Sequence, residues 1–220
     1  MFTLKNDTLE VSILDPIADQ DRFGTRYCTG GYIFQITDNT HGPLLSGPTY
    51  PNDFTWFHGQ GMPDAFNKTP LKDLTDASPA ALIIGIGLCN LQENVVTAFC
   101  DWQVEQTDTK ITLTTTQAHQ SFALELTRTV TLQNRTIRSH THVKNTGKAP
   151  IPLNWFPHPF YPQPKTDELC KFNVPVNFSD NLGFEQLDNG FISRKNFPQG
   201  SGFYQALNHN AHTNLTVLQK

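Results

Sequence analysis

The chain has 220 residues and a formal net charge of −4, from 16 basic and 20 acidic residues. We expect a single domain over residues 1–220, because no internal repeat or low-complexity linker marks a boundary. The acidic balance and the lack of a Lys- or Arg-rich run argue against a nucleic-acid partner. Neither a run of about 20 apolar residues nor a leader sequence is visible, so we expect a cytoplasmic protein without a membrane partner.

In residues 40–74 the alternation of apolar and polar side chains is weak, and Gly and Pro are combined with many aromatic side chains. A long segment of this kind is usually functional or disordered, and its aromatic content favours an ordered loop. We therefore predict that His58 and Asp64, which lie inside it, line a polar pocket. Single turns of helix are predicted at 63–66 and 71–74, and residues 80–89, which follow, are predicted to form one buried strand.

Three segments that follow alternate between apolar and polar side chains, which is the pattern of half-buried strands. Residues 110–117 set Ile and Leu against several Thr, and residues 121–132 set an apolar face against Glu and Thr. Residues 135–145 alternate in the same way, with basic and His side chains on the polar face. Short turns separate the segments, so neighbouring strands must pair as antiparallel hairpins. The sequence predicts an all-β antiparallel sandwich with a solvated sheet face.

Arg128 interrupts the apolar face of segment 121–132, where it falls in line with Leu126 and Val130. Burial of an unpaired guanidinium is costly, so this side chain needs a partner or a polar cavity. One interpretation is an arginine that lines a substrate pocket. The other is a β-bulge that shifts the register and points the side chain outward. Both interpretations are open on the sequence alone.

The hairpin over residues 128–147 is followed by segment 155–161, which reads Trp-Phe-Pro-His-Pro-Phe-Tyr. This order resembles the aldose 1-epimerase and hexose-6-phosphate epimerase superfamily. In that superfamily a long hairpin ends in an Asn-x-Gly turn, and the next strand leads into a His-x-aromatic-aromatic motif. Residues 22–33 and 61–66 also resemble segments of one bacterial branch. The resemblance implies a galactose mutarotase-like β-supersandwich that binds a hexose or hexose phosphate and interconverts its anomers without metal or cofactor.

The resemblance also implies that His158 is the acid that protonates the ring oxygen of the sugar, a role that suits histidine at neutral pH. The alternative is a histidine that only caps the end of a strand. The base of the family is a glutamate near the C-terminus of longer chains, and no glutamate follows Glu185 here. The sandwich is therefore expected to be C-terminally incomplete, either because the sequence ends early or because a chain of this length has lost the base. In the second case the protein is a non-catalytic carbohydrate-binding β-sandwich, and its exposed sheet edge would favour a homo-oligomer.

Two further substrate-binding candidates are Arg26, whose planar guanidinium suits a sugar hydroxyl or phosphate, and Trp155, whose ring can stack on a sugar. The alternatives are a surface charge for Arg26 and a core position for Trp155. His140 and His142 have a spacing that two metal ligands can use, but no third ligand is evident, so we predict a solvated strand face and no metal. The four cysteines show no metal-binding spacing and are predicted to be free thiols.

Overall fold

The computed structural model describes residues 1–162, 164, 166–178, 180 and 183–195, together with the backbone of residues 217–219. The chain forms two compact units, Met1–Pro162 and Gln163–Lys220, and the single domain over residues 1–220 stays a prediction. The all-β prediction is confirmed, because every strand pair of the described residues is antiparallel. Their one helical element is a 3-10 turn at Gln20–Arg22. No helix in this described part has the length and hydropathy needed to cross a bilayer.

The first unit is built from thirteen strands. The strand bounds are β1 (Phe2–Lys5), β2 (Leu9–Ile13), β3 (Ile33–Asp38), β4 (Gly42–Pro43), β5 (Asp64–Ala65), β6 (Ala80–Ile83), β7 (Gly87–Asn90), β8 (Val95–Phe99), β9 (Gln103–Gln106), β10 (Lys110–His119), β11 (Phe122–Gln133), β12 (Thr136–Asn145) and β13 (Phe156–Pro157). The strands form sheets in the orders β1-β2-β3-β4, β6-β7-β8 and β12-β11-β10-β9, and a two-stranded β5–β13 ribbon.

The described residues of the second unit form β14 (Glu168–Phe172), β15 (Phe184–Gln186), β16 (Phe191–Arg194) and β17 (Val217–Gln219). These strands make a sheet in the order β15-β16-β14-β17. The hairpin between β15 and β16 turns at Gly190, whose φ of +83° favours glycine.

One apolar core joins the sheets of the first unit. Leu4 and Val11, from β1 and β2, belong to the same buried cluster as Leu113 and Leu126, from β10 and β11. Every second residue of β11 is buried, as the alternation predicts. A one-residue slip of this strand would turn its whole apolar set outward, so burial fixes the register. The two larger sheets therefore face each other across a common core, as in a β-sandwich.

Residues 80–89 form two strands, so the prediction of one buried strand is wrong. β6 and β7 are joined by a tight turn in which Gly85 has a φ of +73°. A Cβ atom at Gly85 would lie 2.3 Å from the sulfur of Cys28, so both the backbone conformation and the packing require glycine. Ile84 and Ile86, on either side of it, are themselves buried. A turn lined by buried apolar side chains looks like a continuous strand in the sequence.

The predicted turns of helix at 63–66 and 71–74 are also wrong. Asp64–Ala65 forms β5 and pairs with β13. Leu71 exchanges two backbone hydrogen bonds with Leu82, of 2.8 and 2.9 Å. A single turn of helix is costly to nucleate, and here pairing with distant residues supplies the hydrogen bonds instead.

The four cysteines are free thiols, as predicted. Burial raises the pKa of Cys28 and of Cys89 to about 12 and that of Cys100 to about 11. The thiolate is the reactive form, so these three sulfur atoms are weak nucleophiles at neutral pH.

Candidate functional site

The β5–β13 ribbon distributes the predicted site residues between its two faces. Its register pairs Pro157 with Asp64, and both residues line a pocket together with Trp155. Side chains alternate between the faces of a strand, so Phe156 and His158 lie on the other face, with ring centroids 6.1 Å apart. The structure therefore separates the predicted residues into two groups. We call them the Asp64 pocket, whose lining includes Asp64, Arg128, Ser139, Thr141 and Trp155, and the His158 cluster, formed by Arg26, Tyr27, Phe156, His158 and Phe160.

Arg128 lies at the buried end of the Asp64 pocket. It pairs with Leu113 on β10 and with Thr141 on β12 in an uninterrupted register, so the alternative of a local β-bulge is wrong. The residue is only 2% exposed. Its guanidinium forms an ion pair with Asp64, whose side chain is 7% exposed. The inward orientation that the alternation indicates is therefore correct, and a buried carboxylate is the partner that the charge requires.

Four more acceptors surround the Arg128 guanidinium. Nη1 donates to the hydroxyl of Thr141, and Nη2 donates to the hydroxyl of Ser139 at 3.2 Å. Nε donates to the carbonyl of Gly30 at 3.2 Å, and Nη2 also contacts the carbonyl of Gly31 at 3.4 Å. A buried cation needs this number of partners to offset its lost hydration. The contacts hold Arg128 in one position and tie β11 to the segment that precedes β3.

Asp64 is held at both of its carboxylate oxygens. Oδ2 accepts from Arg128, and Oδ1 accepts from the indole nitrogen of Trp155 at 2.8 Å. Trp155 is 46% exposed, so the predicted alternative of a core tryptophan does not describe it. Each carboxylate oxygen can accept more than one hydrogen bond. The pocket thus presents a fixed acceptor beside a half-exposed aromatic ring.

His140 and His142 lie on β12, and both side chains are exposed, as predicted. They also line the Asp64 pocket, which the sequence does not indicate. Within the described ranges, no group of three or more His, Cys, Asp or Glu side chains is arranged to hold a metal ion. His140 and His142 therefore lie at the pocket, and the described residues supply no third ligand that would complete a metal site with them.

Ser139 and Thr141 are site residues that the sequence-based prediction does not single out. Both lie in one row with Ile137 and Val143 on β12, which are partly buried against the core. Two hydroxyl side chains in a core-facing row are an available signal, because hydroxyl oxygens can accept hydrogen bonds from a buried cation on the neighbouring strand. Combined with the inward position of Arg128 on the neighbouring strand, that signal points to the contacts that the structure shows.

The His158 ring is half-buried among aromatic side chains. Its centroid lies 4.4 Å from that of Phe160 and 6.0 Å from that of Tyr27. Nδ1 is buried and has no hydrogen-bond partner among the described residues. Burial lowers the pKa of His158 below its ordinary 6.5 against an opposing effect of its own backbone, and the positive charge of Arg26 lowers it further. The neutral ring therefore predominates at pH 7, and it accepts a proton more readily than it donates one.

Arg26 and His58 lie away from the Asp64 pocket, and neither is part of its lining. Arg26 donates to the carbonyl of Phe57, and its guanidinium carbon lies 4.9 Å from the ring centroid of Tyr27. The side chain of His58 is exposed, while its carbonyl accepts from the hydroxyl of Tyr27 at 3.5 Å. Arg26 thus belongs with His158, and it anchors the aromatic loop through main-chain and ring contacts.

In an NMR titration of the folded chain, we expect His158 to titrate below pH 6.5, because burial disfavours the imidazolium ion. Arg26→Gln removes a nearby positive charge and should raise this pKa. Arg138→Gln, on the exposed face of β12, is the matched control and should leave it unchanged. A wild-type pKa at or above 6.5 would contradict the buried, unpaired environment of the ring.

The chain was compared with protein-family models, with curated proteins and with solved structures, and none of these comparisons gives a match. The resemblance to aldose 1-epimerases therefore rests on the sequence motifs and stays a prediction.

Proposed function

We propose that the protein is a carbohydrate-binding β-sandwich whose Asp64 pocket holds a hexose. The observation that carries this proposal is the buried carboxylate of Asp64 joined to half-exposed Trp155 by a hydrogen bond of 2.8 Å. Carboxylate oxygens accept hydrogen bonds from hydroxyl groups, and an indole ring offers an apolar surface to the face of a sugar ring. The pocket has a volume of about 680 Å³, within the range of roughly 300–1,000 Å³ found for small-molecule sites.

The proposal includes the finer fold, a galactose mutarotase-like supersandwich. Two facing antiparallel sheets with a shared core support it, as does the order of motifs between residues 128 and 161. Among the described strands, β12 has a partner on one side only, which is the kind of edge that favours a homo-oligomer.

A second candidate function is interconversion of sugar anomers by His158. The observation that favours it is the buried Nδ1 atom, which has no partner in the described part of the chain, since unsatisfied polar atoms and shifted pKa values are concentrated at functional sites. Ring opening needs one group that takes the proton of the C1 hydroxyl and one that protonates the ring oxygen. A largely neutral His158 suits the first of these roles better than the acid role that the resemblance implies. Because His158 is not among the lining residues of the Asp64 pocket, binding is the function that the geometry supports best.

Binding is tested by calorimetry with glucose and galactose. We expect Trp155→Ala to weaken hexose binding by at least about tenfold, because the variant loses the ring surface and one anchor of Asp64. Phe57→Ala is the matched control, since Phe57 is an exposed aromatic residue, 53% accessible, that lies outside the pocket lining. Loss of binding in Phe57→Ala with normal binding in Trp155→Ala would place the sugar near Arg26, whose guanidinium carbon lies 5.1 Å from the centroid of the Phe57 ring, and would overturn the proposal.

Anomer exchange is tested by NMR saturation transfer on the same sugars. If His158 acts on the sugar, His158→Ala should slow the accelerated exchange by about 10²–10⁴-fold, the range typical of a general acid or base. His41→Ala changes an exposed histidine outside the lining of the Asp64 pocket and serves as the control. Sugar binding with no acceleration by the wild-type chain would leave the non-catalytic function as the correct one.

A further inference from the structure

Among the described residues, the lining of the Asp64 pocket offers a ligand no unpaired Lys or Arg side chain. Asp64 and Arg128 are the only Asp, Glu, Lys or Arg residues of this described lining, and they neutralise each other as an ion pair. Arg128 already contacts five acceptors, and three of them share Nη2. Although the sequence suggests an arginine that binds substrate, the structure makes Arg128 a positioning residue for Asp64.

An anionic ligand group would meet an unfavourable environment at this site. Binding would strip water from a phosphate or carboxylate, and no unpaired Lys or Arg of the described lining would replace that water. Both oxygens of the Asp64 carboxylate, held in place by Arg128 and Trp155, are acceptors, so they offer a deprotonated group no hydrogen-bond donor. Unpaired charges and polar groups of this kind are how a site rejects a close analogue of its ligand.

A ligand that carries hydroxyl groups meets the opposite situation. Each oxygen of Asp64 accepts one hydrogen bond from a protein side chain, and each keeps the capacity for another. The fixed carboxylate therefore accepts from a hydroxyl group without having to reorganise. Trp155, 46% exposed, adds an uncharged surface next to it.

We propose that the Asp64 pocket selects uncharged sugars and excludes phosphorylated and acidic ones. This inference rests on the proposed function, and it names the ligand class of that same site. The Asp64–Arg128 ion pair discriminates between neutral and anionic sugars. Arg128 holds the Asp64 carboxylate in place, and because its positive charge is paired with that carboxylate it does not attract an anionic ligand.

Calorimetry on the wild-type chain tests the inference with galactose, galactose 6-phosphate and galacturonate at pH 8, above the ordinary titration range of histidine. We expect the two anionic sugars to bind at least about tenfold more weakly than galactose. Equal or tighter binding of either anion would overturn the inference and leave the proposed function standing. If galactose and glucose both fail to bind, the proposed function fails and the inference fails with it.

Asp64→Asn provides a charge-specific variant. The amide keeps an oxygen that accepts from Trp155 and removes the negative charge, so Arg128 becomes available to an anion. We expect the binding ratio of galactose 6-phosphate to galactose to rise by about tenfold or more, and to fall again with added salt. Asp38→Asn makes the same change in an ion pair outside the pocket, that with Arg135, and should leave the ratio unchanged. An unaltered ratio in folded Asp64→Asn would overturn the inference, and the wild-type comparison decides the matter if this variant does not fold.

Discussion

Arg128→Met is expected to lower the free energy of unfolding by about 3–5 kcal/mol, because it leaves the buried carboxylate of Asp64 without its partner. The loss extends beyond the ion pair, since the carbonyls of Gly30 and Gly31 and the hydroxyls on β12 also lose their donor. Urea denaturation followed by far-UV circular dichroism measures the effect. Methionine keeps most of the apolar volume, so the change reports mainly on charge and hydrogen bonding.

Two controls separate burial from charge in this experiment. Lys144→Met breaks an ion pair with Glu125 whose partners are 59% and 50% exposed, and the expected loss is below about 1 kcal/mol. The double variant Asp64→Leu with Arg128→Met replaces the whole pair by apolar side chains and should recover most of the lost stability. If Arg128→Met costs no more than Lys144→Met, the buried ion pair does not have the role that we assign to it.

The position of Arg128 shows how far the sequence alone leads at this site. The alternation of β11 predicts that the side chain points inward and that it needs a partner. The partner itself is 64 residues away in the chain, on a two-residue strand that has no periodicity of its own. Local patterns determine which face a residue takes, but they carry no information about which distant loop packs against that face. The sequence does place Asp64 in a pocket, because the aromatic loop around it indicates one.

The sequence motif does not indicate that His158 and Asp64 lie on opposite faces of the β5–β13 ribbon. Segment 155–161 resembles a family motif as a whole, which suggests that all its side chains belong to one site. In the structure the segment is extended and paired with β5, so Trp155 and His158 take opposite faces of the ribbon. Pro157 and Pro159 already favour an extended backbone, and a period of two applied here would have separated the residues. The sequence does not indicate that this segment pairs with β5, and that pairing determines which residues pack against each face.

Trp102→Ala is expected to cost about 3–5 kcal/mol of unfolding free energy, the range for removal of a large buried aromatic side chain. Trp102 is 6% exposed, and its indole nitrogen donates to the hydroxyl of Thr29 at 2.8 Å. Its ring fills the space beside Gly30, where a Cβ atom would lie 2.4 Å from it. Trp102 and Arg128 thus hold the same short segment, one through packing and one through its carbonyls.

This shared support makes the effects of the two residues interdependent. In a double-mutant cycle, Trp102→Ala with Arg128→Met should destabilise the chain by less than the sum of the single changes, because either one alone already releases Gly30 and Gly31. Trp155→Ala is the control for loss of an indole at a half-exposed position, and its expected cost is about 1 kcal/mol.

Trp102→Ala should also weaken hexose binding, since loosening the carbonyls that hold Arg128 loosens Asp64 in turn. Strict additivity, with hexose binding unchanged, would show that the pocket is supported independently of Trp102.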